Sequence, residues 1–133
     1  MKKTINILLL AAVFTAFAAN AKEKEKIIEL EDASAILGKW DLYAETAALH
    51  KEKKAVKIQW DFKKNGVLET SAEDTRGRTR RMSINVTYSI ENGIIKKQIQ
   101  PGRQKYEYCK VIKLEGKDMT LHCKYLYFLL RKK

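Results

Sequence analysis

The stretch Met82-Ser-Ile-Asn-Val-Thr-Tyr-Ser-Ile90 places Met82, Ile84, Val86, Tyr88 and Ile90 at every second position, with Ser83, Asn85, Thr87 and Ser89 between them. Side chains of an extended strand alternate between two faces, whereas a helix would scatter these five apolar residues around its circumference. The stretch reads as a strand with one buried and one wet face. The same period of two recurs upstream. Trp40, Leu42 and Ala44 share one face, and Val56, Ile58, Trp60 and Phe62 share another, separated by Lys57, Gln59 and Asp61. Turn signals stand between the runs. Lys63-Lys64-Asn65-Gly66 carries an Asn-Gly pair that tolerates positive φ and leads into Val67–Glu73. Asp74–Arg78 is the next turn, and Glu91-Asn92-Gly93 leads into Ile94–Gln100. Pro101-Gly102 turns into Lys105–Leu114, and Glu115-Gly116-Lys117-Asp118 leads into Met119–Leu130.

This makes seven strands, or eight if the last run bends. Short sequential turns imply antiparallel neighbours, and a meander with one wet face rids itself of unpaired edges by closing. The expectation is an all-β, antiparallel up-and-down barrel, with an open sandwich as the alternative. Ahead of the first strand, the mixture of apolar and acidic residues over Ile27–Leu37 predicts one short N-terminal helix, capped by Asp32 or Ser34. Lys22–Lys26 alternates Lys with Glu and should fray as a solvated leader.

The first 21 residues read as an address. A basic Met1-Lys2-Lys3 head, an apolar run over Ile7–Ala19 broken only by Thr15, and small residues in Ala19-Asn20-Ala21 predict a secretory signal peptide cleaved after Ala21. The domain is then 22–133, periplasmic or secreted from a bacterium, with no transmembrane segment in the mature chain and no cysteine near the cleavage point for a lipid anchor. With 45% apolar residues and 32% charged, the chain fits a globular domain. Lys and Arg number 27 against 16 Asp and Glu, a net charge of +11 that favours anionic partners, an envelope component among them. Two cysteines, two histidines and no glycine-rich phosphate loop offer little for a zinc cluster, a nucleotide site or a Cys/His nucleophile, so neither catalysis nor a cofactor is expected. Aromatics are not interleaved with the basic runs as a nucleic-acid surface would have them.

A resemblance emerges at Ile36-Leu-Gly-Lys-Trp-Asp-Leu42. This Gly-x-Trp segment is followed by Trp60-Asp-Phe-Lys-Lys-Asn-Gly66, Tyr88-Ser-Ile-Glu-Asn-Gly93, Val111-Ile-Lys-Leu-Glu-Gly116 with Met119-Thr-Leu121, and a closing Phe128-Leu-Leu-Arg131. In order and spacing the chain resembles the small bacterial lipocalin-like domains of the calycin group. The resemblance implies a barrel whose narrow end is closed by Trp40 after Gly38, with Arg131 from the last strand as a cation–π lid. The functional reading is an exported binding protein whose open end accepts an apolar or amphipathic small molecule, with arginines near the rim favouring an acidic head group. The open end would be lined by Met82, Ile84, Tyr88, Tyr106, Tyr108 and Trp60. The alternative is an interaction module with a packed interior and a basic exterior.

Cys109 and Cys123 stand on the two arms of the last hairpin, and an even count in an oxidising compartment favours a bridge. Register opposes it. If Gly116-Lys117 is a two-residue turn, Leu114 faces Met119, Ile112 faces Leu121 and Tyr108 faces Tyr125, leaving Cys109 opposite Lys124 and Cys123 opposite Lys110 on opposite faces. A bulge near Lys110 or His122, or a three-residue turn, would reconcile the two arguments. Otherwise the thiols stay separate, and Met119, His122, Cys123 and Cys109 could be drawn as a soft copper(I) set, with no methionine-rich repeat to support it. Finally, Arg76, Arg78, Arg80 and Arg81 lie within six positions. They are candidate anion contacts, or else a solvated hairpin that keeps a sheet edge from aggregating.

Overall fold

A computed structural model describes residues 25–73 and 81–133, with only the backbone of Glu73 and Arg81. The signal peptide expected over 1–21 and the side chains of Arg76, Arg78, Arg80 and Arg81 lie outside the described residues. Eight strands follow one another: β1 Gly38–Thr46, β2 Lys54–Phe62, β3 Val67–Glu73, β4 Arg81–Glu91, β5 Ile94–Gln98, β6 Tyr106–Glu115, β7 Asp118–His122 and β8 Tyr127–Lys132. Each pairs antiparallel with the next, and β8 pairs with β1 to close the barrel. The expected architecture is therefore present. The count is eight because the last apolar run breaks after His122, where the Cys123 N–H donates to the Leu126 carbonyl at 2.9 Å and turns the chain.

The two ends of the barrel differ. At one end the hairpins are tight. Asn92 and Gly93 both take positive φ (54° and 79°), the combination a two-residue turn between twisted strands requires. At the other end the longer connections 47–53, 99–105 and 123–126 gather. Among the described residues, 27–37 is not the expected helix but a strap across the tight-turn end, extended over 27–30 and turning over 31–36, where the Ile36 N–H donates to the Ala33 carbonyl at 3.0 Å. The donors a helix would use internally go elsewhere: the Ile28 N–H donates to the Val111 carbonyl at 2.7 Å and the Leu30 N–H to the Gly93 carbonyl at 3.0 Å. Asp32 accepts from the Ser34 N–H at 2.9 Å, which makes a local turn rather than a helix cap. Leu30 and Ile36 are thereby delivered into the core. Gly93 is required twice over, since a Cβ there would lie 2.9 Å from the Cβ of Glu29 in the strap, besides the positive φ.

Trp40 is the plug of this end, 2% exposed, and its indole N–H donates to the Ile36 carbonyl at 2.8 Å. The expected lid, however, is displaced by one residue. The β1–β8 register sets Trp40 opposite Lys132 and Asp41 opposite Arg131, so Lys132 shares the inward face. Lys132 Nζ lies 4.7 Å from the Trp40 ring centroid and donates to the Leu37 carbonyl. Arg131 points outward to Tyr43 and Asp118. Gly38 makes room for this arrangement, because a Cβ there would sit 2.8 Å from Lys132 Nζ.

On β6 the two arguments about the cysteines are both satisfied. The two-residue turn exists, with Glu115 opposite Asp118 and Leu114 opposite Met119. A register shift between Val111 and Lys113 then inserts one residue, so that Val111 rather than Ile112 faces Leu121, and Lys110 faces His122. Continued one step, this register brings Cys109 opposite Cys123, and the two are disulfide-bonded. The bulge reverses the phase of β6 beyond it. Cys109 and Val111 become fully buried, and Tyr106 and Tyr108 turn outward.

Candidate functional site

The inner face at the loop-bearing end is built where strand phase places charge in a core position. Lys97 follows Ile95 by two residues and Glu107 precedes Cys109 by two, so both side chains share the phase of fully buried neighbours. They are cross-strand partners on β5 and β6. Lys97 Nζ donates to Glu107 Oε2 at 2.9 Å, with side-chain exposures of only 12% and 19%. So little exposure makes mutual neutralisation necessary, because either ion alone would carry an uncompensated desolvation cost. Lys97 Nζ also stands 5.5 Å from the Trp60 ring centroid, so the indole face contributes to holding the cation.

Below the ion pair an aromatic series runs through the barrel. Phe128 and Trp60 have centroids 5.5 Å apart, Trp60 and Phe62 are 6.0 Å apart, and Phe62 and Tyr88 are 5.1 Å apart in an edge-to-face contact. At its far end the Tyr88 hydroxyl donates to the Lys63 carbonyl at 2.6 Å. Burial, with the negative charge of Asp61 added, pushes the Tyr88 phenol above its ordinary pKa, so the group stays a neutral donor. Above the series, a depression of about 320 Å³ opens between the β5–β6 hairpin and the β7–β8 connection, lined by Ile99, Glu107, Lys124, Tyr125, Leu126 and Phe128.

The six residues expected to line a ligand site divide accordingly. Trp60 and Tyr88 lie inside, Trp60 as the floor under Lys97 and Tyr88 sealed deeper against Phe62. Met82 and Ile84 have the inward phase of β4 but are 69% and 48% exposed, because β4 pairs with β5 only from Tyr88 onward. Tyr106 and Tyr108 lie on the outer surface, for the reason the bulge supplies, and Lys96 Nζ rests 4.5 Å from the Tyr106 ring. The sequence alone assigns no site role to Lys97, Glu107 or Phe128. Two charged residues in the core phase of adjacent strands were the available signal, hidden on β6 until the bulge is known. The copper-type set does not converge. The cysteines are bonded to each other, Met119 is buried inward, and His122 faces outward to Glu25.

That outward contact ties the chain entering the strap to the last hairpin. Glu25 Oε1 lies 2.6 Å from His122 Nδ1, and Glu25 Oε2 accepts from the Tyr127 hydroxyl at 2.7 Å, while the His122 and Tyr127 rings stack 3.9 Å apart. Partial burial opposes ionisation of Glu25, but the Tyr127 and His122 hydrogen bonds and the nearby positive charge outweigh it and hold the carboxyl below its ordinary value.

Two solved structures share this arrangement of strands. A lipocalin-like protein from Bacteroides uniformis matches with a TM-score of 0.62 at 16% identity, over 75% of this chain and 100% of that one. The fold is lipocalin-like. An uncharacterized protein from Bacteroides eggerthii matches with a TM-score of 0.60, also at 16% identity, over 73% of this chain and 98% of its own. No protein-family model matches the chain, nor does any curated protein sequence. Among the described residues, no helix of this lipocalin-like chain is long and apolar enough to cross a membrane.

Proposed function

We propose that the chain is an exported, non-enzymatic binding protein that receives a small amphipathic molecule at the loop-bearing end of its lipocalin-like barrel. The observation that carries this reading is the depression over Phe128 and Leu126, beside the nearly buried Lys97–Glu107 ion pair. About 320 Å³ lies at the lower end of the range for small-molecule sites, so it suits a small ligand or one end of a longer one. Apolar walls of Ile99, Leu126 and Phe128 fit a hydrocarbon body. Glu107 is neutralised by Lys97, which leaves Lys124 as the excess charge on the rim and favours an acidic head group. The support for export is the N-terminal stretch 1–21, whose basic head, apolar run and Ala19-Asn20-Ala21 read as a bacterial signal sequence.

Displacement of a fluorescent fatty acid, 11-(dansylamino)undecanoic acid, tests the reading. Saturable binding that weakens in Phe128→Ala and in Lys124→Glu is expected. Absence of any saturable signal would favour the second reading, a packed interaction module, for which the filled tight-turn half of the barrel (Phe62, Leu68, Ile95, Leu121 and Leu130) is the supporting observation.

A further inference from the structure

Strand β4 is 11 residues long, yet β5 pairs with it only over Tyr88–Glu91. Among the described residues, its first seven are strand-paired on one side, with β3. The direction of the groups left over follows from two hydrogen bonds. The Tyr88 N–H donates to the Gly66 carbonyl, and Thr70 Oγ1 donates to the Ile84 carbonyl, so even-numbered residues aim their backbone groups at β3. Alternation then aims those of Ser83, Asn85 and Thr87 the other way. Thr87 finds a substitute there, its N–H donating to Gln98 Oε1 at 3.1 Å. Ser83 and Asn85 are exposed.

Open edges are ordinarily blunted by lysine, proline or a bulge. Met82–Thr87 contains no charged residue and no proline, and its register with β3 runs unbroken from Val67 opposite Thr87 to Glu73 opposite Arg81. Beside this edge, Met82 and Ile84 present an exposed apolar row in line with Val86. We propose that the free edge of β4 at Ser83–Thr87 is a docking surface on which an extended, acidic peptide segment of another protein adds as a further strand. The backbone of the partner pairs with Ser83 and Asn85, and its alternate apolar side chains cover Met82 and Ile84. Charge decides the sign. The full sequence carries +11, and Arg81 opens the strand. A second copy of this chain would bring the same positive charge to the contact, whereas an acidic segment is attracted to it.

The probe is a fluorescein-labelled peptide, Asp-Glu-Val-Ser-Val-Thr-Val-Glu-Asp, followed by anisotropy with the whole mature protein and by ¹⁵N amide shifts. Saturable binding with shifts at Ser83 and Asn85 is expected. Asn85→Pro removes a donor that points away from β3 and leaves that ladder intact, and Ile84→Lys places a charge on the exposed row. Each should weaken binding by about tenfold or more, with far-UV circular dichroism and Tm close to those of the parent. Alternate N-methylation of the peptide backbone should abolish binding, a readout that does not depend on either variant folding. The proposal is overturned by any of four results: no saturation up to about 1 mM peptide, equal binding of the N-methylated peptide, equal binding of a peptide with Lys at its acidic positions, or folded variants that bind like the parent. Concentration-dependent dimerisation that Ile84→Lys abolishes would assign the edge to a second copy and overturn it as well.

Discussion

Replacing Trp40 and, separately, each of the two basic residues of β8 tests how the closed end is held. Trp40 is 2% exposed, donates from its indole to the buried Ile36 carbonyl and lies under Lys132. Trp40→Ala removes a large buried aromatic and should cost about 3–5 kcal/mol. Trp40→Phe keeps most of the apolar area but leaves the Ile36 carbonyl without its donor, for about 1–3 kcal/mol. Lys132→Met retains the apolar stem and loses both the cation over the ring and the hydrogen bond to Leu37. Arg131→Met breaks exposed contacts with Asp118 and the Tyr43 ring, each for below about 1 kcal/mol. Lys132→Met is therefore expected to destabilise more than Arg131→Met. Urea unfolding followed by circular dichroism measures all four. The tryptophan variants also leave Trp60 as the single emitter, so its fluorescence reports whether the open end unfolds with the closed one. A loss below about 1 kcal/mol for Trp40→Ala would remove it from the core. A larger loss for Arg131→Met than for Lys132→Met would refute the register argument.

Further outcomes follow from the same contacts. Cys109 and Cys123 are 14 residues apart, so paired replacement by Ala should lower unfolding free energy by about 3 kcal/mol, and thiol titration of denatured, unreduced protein should find no free thiol. Glu25 has a depressed carboxyl pKa, so its stabilisation is fully present above its unfolded-state value and is lost as pH falls through the lower folded one. The Tm difference between the parent and Glu25→Gln should therefore be constant near neutrality and vanish in acid, and a difference that grows toward low pH would contradict the assignment. Gly93→Ala combines a positive φ with a Cβ 2.9 Å from Glu29, and should destabilise by more than the roughly 1–2 kcal/mol of left-handed strain alone.

Alternation made the strands legible because burial on one face is written residue by residue. The face that Trp40, Leu42 and Ala44 share is buried as expected, and β3 falls over Val67–Glu73 as expected. Phase errors arose where backbone irregularity, which has no side-chain signature of its own, intervenes. The bulge after Val111 turned Tyr106 and Tyr108 outward although their spacing from Leu114 is even. One residue of register likewise gave Trp40 its cover from Lys132 instead of Arg131. Over Ile27–Leu37, local propensity favoured a helix, but Val111 and Gly93 offered carbonyls to Ile28 and Leu30, and these tertiary partners prevailed. Exposure of Met82 and Ile84 is a property of strand lengths: β5 ends at Gln98, too soon to cover them.

These irregularities have a common consequence for where binding can occur. The strap, Trp40 and the tight turns fill one end of the barrel with buried side chains, Leu30, Ile36 and Trp40 among them. The other end keeps a nearly buried ion pair over the Trp60 indole, and exposed apolar residues such as Met82, Ile84 and Ile99 that contribute little to the core. Substitutions should therefore separate by position along the barrel. Those at Trp40, Lys132, Ile36 or Gly93 should change stability and leave ligand or peptide affinity per folded molecule unaltered. Those at Lys124 or Ile84 should change affinity with little change in Tm, whereas Phe128, packed on Trp60, should change both. Lys97 and Glu107 are the further exception that tests the division. Removing either charge leaves the other unpaired at an almost buried position, so Glu107→Gln should lower both stability and binding, whereas replacing the pair together with Met and Leu should restore stability alone.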